Sequence, residues 1–329
     1  MTTPTFSRTV TLPVSPDEAF ALITEPERLR RWHTVSARVD LRVGGDYRWT
    51  IVPGHTAVGT FHEIEPGKRV VLGWGWDGQD DFPADASTVT ITLTPAEGGT
   101  ELTLHHTGFL SEEQAAMHAE GWTHYLDRLE RVAATGDAGP DVWAATPREF
   151  SELTAADASL VVLQGVARQL TSEDREKQTP CADFTCHDLV EHLAGSLQQL
   201  AGMAGASVAD APGTAPEPRL ADLGMQAIDA WKARGTEGMI PGPGGREMPA
   251  SFAASILPVE LLLHAWDLAQ GSGHEITASE ELVAYVAKLA EGVVPGGRGS
   301  SFADEVVAGH DSSALDRLAA YAGRTPVHA

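Results

Sequence analysis

The chain has 329 residues, with 23 Lys and Arg against 46 Asp and Glu, for a formal charge of −23. Acidity on that scale excludes duplex nucleic acid and anionic membrane surfaces as partners, because phosphate binding needs concentrated Lys and Arg. At roughly 100–200 residues per domain the length predicts two domains, and 42% hydrophobic residues are enough for real cores.

The first 135 residues read as strands bracketing helices. Phe6, Val10 and Leu12 alternate with Ser7, Thr9 and Thr11, the period of a half-buried strand. Ser15-Pro16-Asp17-Glu18 then opens a helix, with Ser15 as N-cap, Pro16 in the first turn and Glu18 completing a capping box. Strand-like runs follow at 39–43, 47–52, 58–64 and 70–76, separated by Gly44-Gly45, Pro53-Gly54 and Pro66-Gly67. Val89, Ile91 and Leu93 form one arm of a hairpin; Leu102, Leu104 and His106 return on one face after Gly98-Gly99. Ser111 and Gln114 read as a second capping box before a long amphipathic helix that carries Ala115, Trp122, Tyr125, Leu126, Leu129 and Val132.

Residues 136–147, rich in Gly, Ala, Pro and Asp, read as a linker. Beyond it the strand patterns stop. Helices are predicted over 151–171, after the Thr185 cap with Leu189, Leu193, Leu197 and Leu200, near 219–234, over 250–270 after the loop Pro241–Gly245, over 279–291 and near 312–322. The expected architecture is α+β: a sheet-and-helix domain over 1–137, then a helical bundle with a small C-terminal appendage over 148–329.

The richest apolar run, residues 256–263, is interrupted by Pro258 and Glu260, so no membrane span is expected, and the N-terminus lacks the order of a signal peptide. Cys181 and Cys186 have the wrong spacing for a Cys-x-x-Cys motif and read as two thiols in a reducing cytoplasm. Gly73-Trp74-Gly75-Trp76-Asp77-Gly78 satisfies G-x-G-x-x-G literally. It lies between strands and opens no helix, so it is not a dinucleotide loop.

Most of the thirteen histidines, His33, His55, His62, His187, His274, His310 and His328 among them, fall on predicted loops or exposed faces. His106 on the inward face of the hairpin, and His118 one turn before Trp122, read either as pocket-lining or as hydrogen-bonded core residues. Glu260 and His264, four apart on a helix, share one face with Asp267 among leucines. A lone buried carboxylate is costly there, and either a Glu–His hydrogen bond or a metal relieves it. His192, at the edge of the Leu189/Leu193/Leu200 stripe, supplies a third donor; two His and one Glu leave a tetrahedral ion one open position.

Residues 5–135 resemble the START-like (SRPBCC) superfamily, in the branch named after the activator of the heat-shock ATPase. The likeness is carried by Val14–Phe20, Arg30-Arg31-Trp32, Val43–Asp46, Gly59-Thr60-Phe61, Gly99–Leu104, His105-His106 and Gly121-Trp122. It implies a helix-grip fold, with a curved antiparallel sheet around the long helix and an apolar cavity lined by His106, His118 and Trp122. Residues 150–326 resemble the DinB-like metal-binding family that includes mycothiol-dependent maleylpyruvate isomerase. Thr179-Pro180-Cys181, Asp188–Leu193, Glu260–Asp267, Asp316-Arg317-Leu318 and Gly323–Pro326 carry that likeness. It implies a divalent metal, zinc foremost, on His192, Glu260 and His264, and a functional arginine for which Arg317 is the candidate.

The combined expectation is a cytoplasmic metalloenzyme that activates a low-molecular-weight thiol such as mycothiol against an electrophilic small molecule, by S-transfer or isomerisation. Asp267 would orient His264, and the first domain would bind an apolar ligand or substrate. The rival expectation is a non-catalytic small-molecule binder or sensor whose metal is structural.

Overall fold

The computed structural model describes residues 3–242 and 245–326. The chain divides into two compact units, Met1–Asp141 and Val142–Ala329.

In the first unit, β1 (Phe6–Leu12) leads to α1 (Pro16–Thr24) and α2 (Pro26–Leu29), then to β2 (Ser36–Val39), β3 (Asp46–Val52), β4 (His55–Glu65), β5 (Arg69–Trp76), β6 (Ser87–Ala96), β7 (Gly99–Thr107) and the long α3 (Glu112–Thr135). The seven strands form one antiparallel sheet in the order β1-β7-β6-β5-β4-β3-β2, with Phe6 paired to His106 and Val89 to His106 across β7. Register shifts between Thr50 and Val52 and between Phe61 and Glu63 are the irregularities that let a sheet bend. The inward stripe of α3, including Trp122, Tyr125, Leu126 and Leu129, is buried. Arg8 on β1 donates to the Thr123 carbonyl of that helix at 3.0 Å. This is the expected helix-grip arrangement of a sheet around a long helix.

Three local expectations change. Both helix caps form, yet the Glu18 carboxylate turns to Arg28 at 2.7 Å instead of back to Ser15, and Gln114 Oε1 accepts from Leu110 N–H at 2.8 Å, one residue before the cap. A nearby cation and an earlier N–H compete successfully for each side chain. The strand expected over 39–43 lies at 36–39, because tight turns at 40–45 place Gly44 at φ +77°, and Val43 is exposed. His33 is not on an exposed loop; it is buried and stacked on Trp32 and Trp122.

The second unit runs α4 (Val142–Ala145), α5 (Glu152–Ala167), α6 (Cys186–Met203), α7 (Pro216–Arg234), β8 (Met239–Pro241), β9 (Glu247–Pro249), α8 (Ala250–Ser272), α9 (Glu280–Gly297) and α10 (Ala314–Tyr321). Genuine capping boxes start α5 at Ser151/Thr154, α6 at Thr185/Asp188 and α10 at Ser313/Asp316. The β8–β9 pair, which flanks the predicted loop 241–245, has only three residues per arm with a proline in each and shows no strand period in the sequence. Pro243 and Gly244 of the predicted loop, and His328, lie outside the described residues.

Helix α8 is central. At 23 residues it is long and apolar enough to cross a membrane by composition, yet its burial comes from neighbouring helices of the bundle. The expected appendage is part of this core: Leu315, Leu318, Ala319 and Ala322 join the same apolar cluster, and Trp266 Nε1 on α8 donates to Asp316 Oδ1 at 2.8 Å.

The predicted linker is anchored at its start. Arg128, buried on α3, donates to the carbonyls of Trp32, Gly139 and Pro140 at 3.2, 3.0 and 3.1 Å. His124 meets Asp141 at 3.1 Å. We therefore propose 141, not 137, as the end of the first folding domain. A fragment ending at 141 is expected to be about 1–3 kcal/mol more stable than one ending at 137, which leaves Arg128 short of acceptors. Urea unfolding of the two fragments checks this; equal midpoints and slopes would mean that the strap contributes nothing.

Candidate functional site: a His–Glu–His cluster in the helical unit

Helix α6 supplies His192, and α8 supplies Glu260 and His264 one turn apart. His192 Nε2 lies 3.4 Å and His264 Nε2 3.5 Å from Glu260 Oε1. The three donor atoms lie within 4.8 Å of one another. Two imidazole nitrogens and a carboxylate are a borderline-soft donor set suited to zinc and similar divalent ions. The two separations from Glu260 are close to the edge of about 3.3 Å expected for a tetrahedron with bonds of about 2.0–2.1 Å.

Burial falls across the cluster in one direction. The side chains of His264, Glu260 and His192 are 6%, 17% and 37% exposed, so solvent reaches the group from the His192 side. Phe184 stacks on the His192 ring at 4.9 Å, and the two histidine rings meet edge to face at 5.1 Å. Burial alone would raise the Glu260 pKa, but the adjacent His264, with bonds from His192 and Ser196, holds it well below the usual range. Burial would likewise lower His264, and the Glu260 carboxylate, with Asp267, outweighs it and holds His264 well above its ordinary value. The site favours a positive charge between its carboxylates, which is what a cation would satisfy.

Behind His264 lies a second layer. His264 Nδ1 donates to Asp267 Oδ2 at 2.9 Å, fixing Nε2 as the nitrogen that faces Glu260. Asp267 is fully buried and also accepts from Arg324 Nε, at 3.0 Å to Oδ2 and 3.2 Å to Oδ1, and from Cys181 Sγ at 3.2 Å. Burial would raise its pKa, and Arg324 and His264 reverse this. Asp267 is thus hydrogen-bonded to His264 and has no access to solvent.

Arg317 does not reach this group. It is exposed on α10 and donates to the Ser312 carbonyl at 2.5 Å. The guanidinium that arrives is Arg324, seven residues on. Gly323 delivers it: its φ is +82°, and a Cβ there would meet the Ala303 carbonyl oxygen at 2.6 Å.

The pocket residues expected in the first unit are packed against one another. Trp122 Nε1 donates to His106 Nδ1 at 3.0 Å. Indole nitrogen only donates, so His106 carries its proton on Nε2 and gives it to Ser87 Oγ at 2.8 Å; Ser87 in turn donates to the Trp74 carbonyl at 3.0 Å. His106 and Trp122 are therefore satisfied core residues. His118 differs: Nδ1 donates to the Gln114 carbonyl at 2.8 Å, while its buried Nε2 has no partner.

Comparison with known proteins finds a match in each half. Residues 13–134 match the family model of the activator of Hsp90 ATPase homolog 1-like (AHSA1) proteins, and residues 156–269 that of the mycothiol maleylpyruvate isomerase N-terminal domain. Each half of the chain carries its own family signature. The AHSA1-like protein RHE_CH02687 of Rhizobium etli is 39% identical over 44% of this chain and 91% of its own, with a TM-score of 0.37. DynU16, a putative protein of the dynemicin biosynthetic locus, is 21% identical over 46% of this chain at a TM-score of 0.39, and this chain spans 57% of its length. The uncharacterized protein Rv0738 of Mycobacterium tuberculosis is 29% identical over 159 residues, 45% of this chain and 83% of its own.

The isomerase-type match covers His192, Glu260, His264, Asp267 and Cys181 but stops short of Arg324. Cys181 and Arg324 were missed as site residues. Both lie in segments that carry the family likeness, Thr179-Pro180-Cys181 and Gly323–Pro326, but count and spacing mark Cys181 only as a free thiol, and nothing local ties Arg324 to α8.

Two outcomes follow from these environments. Burial lowers His33 to about 3 and His106 to about 2. Both are neutral when folded and protonate near 6.5 when unfolded, so their stabilisation is complete above that value and lost as pH falls below it. Between pH 7 and 5 the AHSA1-like unit should lose about 2 kcal/mol per histidine. Calorimetry of the full chain over that range checks it, and a His33→Phe variant that folds should show the weaker slope. In the isomerase-like unit, Asp267→Asn leaves the buried Arg324 without its counter-charge and should cost about 3–5 kcal/mol. Chemical denaturation of metal-free protein measures this, and a loss below 1 kcal/mol would mean that Arg324 reaches solvent.

Proposed function

We propose that the isomerase-like unit is a zinc-dependent centre that activates a low-molecular-weight thiol, such as mycothiol, for S-transfer to, or isomerisation of, an electrophilic small molecule. One observation carries this reading: His192, Glu260 and His264 converge at 3.4–3.5 Å around a carboxylate oxygen, with the solvent-facing side left to a fourth partner. The matching family, whose name couples mycothiol to an isomerisation, supplies the substrate class. The AHSA1-like unit is read as the ligand-binding partner of this centre, and two free cysteines fit a reducing cytoplasm.

A bound zinc ion would act as a Lewis acid that lowers the pKa of a thiol beside it. Glu260 contributes a single negative charge to the donor set, so the loaded site keeps a net positive charge and favours thiolate over thiol. Asp267 orients His264 and raises its basicity. Arg324 offsets the Asp267 charge, so that the second carboxylate does not repel the incoming sulfur. His192 lies at the solvent-facing side, where both the thiol and the electrophile enter. Thiolate addition to a conjugated carbon would move the π pair onto the activating carbonyl; rotation about the resulting single bond and expulsion of the same thiolate gives isomerisation, whereas displacement of a leaving group from the attacked carbon, which departs with the bonding pair, gives S-transfer.

Purified protein is expected to hold about one divalent ion per chain, and His192→Ala and Glu260→Ala should each lose most of it, since two ligands rarely hold zinc. Metal analysis reads this directly, and unchanged stoichiometry in both variants would refute the ligand set. With mycothiol present, zinc-edge absorption should gain a sulfur neighbour at about 2.3 Å. A fully loaded protein that gains no sulfur and consumes no thiol with electrophiles would make the ion structural.

A further inference from the structure

A fourth polar side chain lies against the His–Glu–His cluster. Ser196 follows His192 by one turn of α6, half-buried on the same face. Helical hydroxyls elsewhere in this chain turn back to the carbonyl four residues before them: Thr24 to Phe20 at 2.7 Å, Thr123 to Ala119 at 2.7 Å and Ser272 to Leu268 at 2.6 Å. Ser196 reaches across to α8 instead. Its hydroxyl hydrogen-bonds the Glu260 carboxylate, and its oxygen lies 3.5 Å from His192 Nε2. It therefore touches one donor on each of the two helices that build the site.

The hydroxyl has one proton, and of its two neighbours the charged carboxylate is the stronger acceptor. Ser196 thus does for Glu260 what Asp267 does for His264: it fixes the side chain from outside the donor triangle. The consequence for a bound ion is a matter of counting oxygens. A carboxylate can give a cation one oxygen or both. With both, added to two imidazoles, a tetrahedral ion has four protein donors and no position for a thiol. With one, it has three and stays open. A hydroxyl that occupies the carboxylate and fixes its rotation works against the two-oxygen mode. Its place also suits this task, since Ser196 shares a helix with His192, the most exposed of the three donors.

We propose that Ser196 is a positioning residue that keeps Glu260 to one metal–oxygen bond and thereby holds the fourth coordination position open for the thiol. This rests on the zinc–thiol reading of the site and adds to it the residue that separates a thiol-accepting ion from a closed, structural one.

The test uses full-length protein loaded with cobalt(II), in which a bound thiolate gives a sulfur-to-metal charge-transfer band in the near ultraviolet. Titrated with mycothiol, wild-type protein should develop that band. Ser196→Ala should need about 10-fold or more thiol to reach its midpoint while still holding about one ion per chain. Ser196→Thr, which restores a hydroxyl, should return to within about threefold of wild type. Infrared difference spectra of zinc-loaded against metal-free protein read the carboxylate directly: the splitting between its two stretching bands should narrow in Ser196→Ala, as both oxygens take the ion. Equal thiol midpoints for wild-type and Ser196→Ala protein, or an unchanged splitting, would overturn the proposal and leave the zinc–thiol reading intact. Loss of the ion from Ser196→Ala would also overturn it, because the hydroxyl would then hold the metal and not the opening. Wild-type protein that binds cobalt and never develops the band would overturn both.

Discussion

The isomerase-like unit is organised around one buried carboxylate. Asp267 is inaccessible to solvent, in a helix whose other buried side chains are mostly apolar, and a bare charge in that position would be prohibitive. It is tolerated because three donors meet it: His264 from its own helix, Cys181 from the segment before α6, and Arg324 from the turn after α10. Those donors come from segments far apart in sequence, so satisfying one charge fixes the relative placement of the start of α6, α8 and the C-terminal turn. The same bond that satisfies Asp267 orients His264, and with it the arrangement of His192, Glu260 and His264.

The AHSA1-like unit solves a similar problem without charge. Trp122, His106, Ser87 and the Trp74 carbonyl form a chain in which each proton has one acceptor. Such a chain ties α3 to β7, β6 and β5 at the centre of the sheet and keeps His106 neutral. Where the chain ends, at the next rings outward, the unpartnered nitrogens begin. A hydrogen-bonded core thus borders rings that are held by packing alone at His33 Nδ1, Trp49 Nε1, Trp74 Nε1 and His118 Nε2.

Much of this was legible in the sequence, for reasons that differ by element. The β6–β7 hairpin and α3 announced themselves because alternation and helical spacing report local periodicity, which tertiary contacts reinforce here. His192, Glu260 and His264 could be grouped because an acid and a histidine four apart on an apolar helix pose a burial problem that needs a partner. Arg324 was out of reach of that logic: nothing local links residue 324 to residue 267, and the family resemblance, which implies an arginine near the C-terminus, pointed to Arg317. His33 was misplaced because a histidine between Trp32 and Thr34 carries no periodic signal, and its burial depends on rings contributed by α3 and the sheet. The short β8–β9 pair escaped for the same reason in reverse, with too few residues to show any period.

The link between Asp267 and Arg324 spans 57 residues. During synthesis at about 5–20 residues per second, the aspartate exists for roughly 3–11 s before its guanidinium has been made. Over that interval Asp267 has His264 and Cys181 as donors but lacks the Arg324 guanidinium, so closing the bundle over residue 267 is costlier than it becomes once that cation arrives. The turn at residues 323–324 therefore acts as a latch: it adds the last donor to Asp267, and with it the bond network that orients His264 is complete.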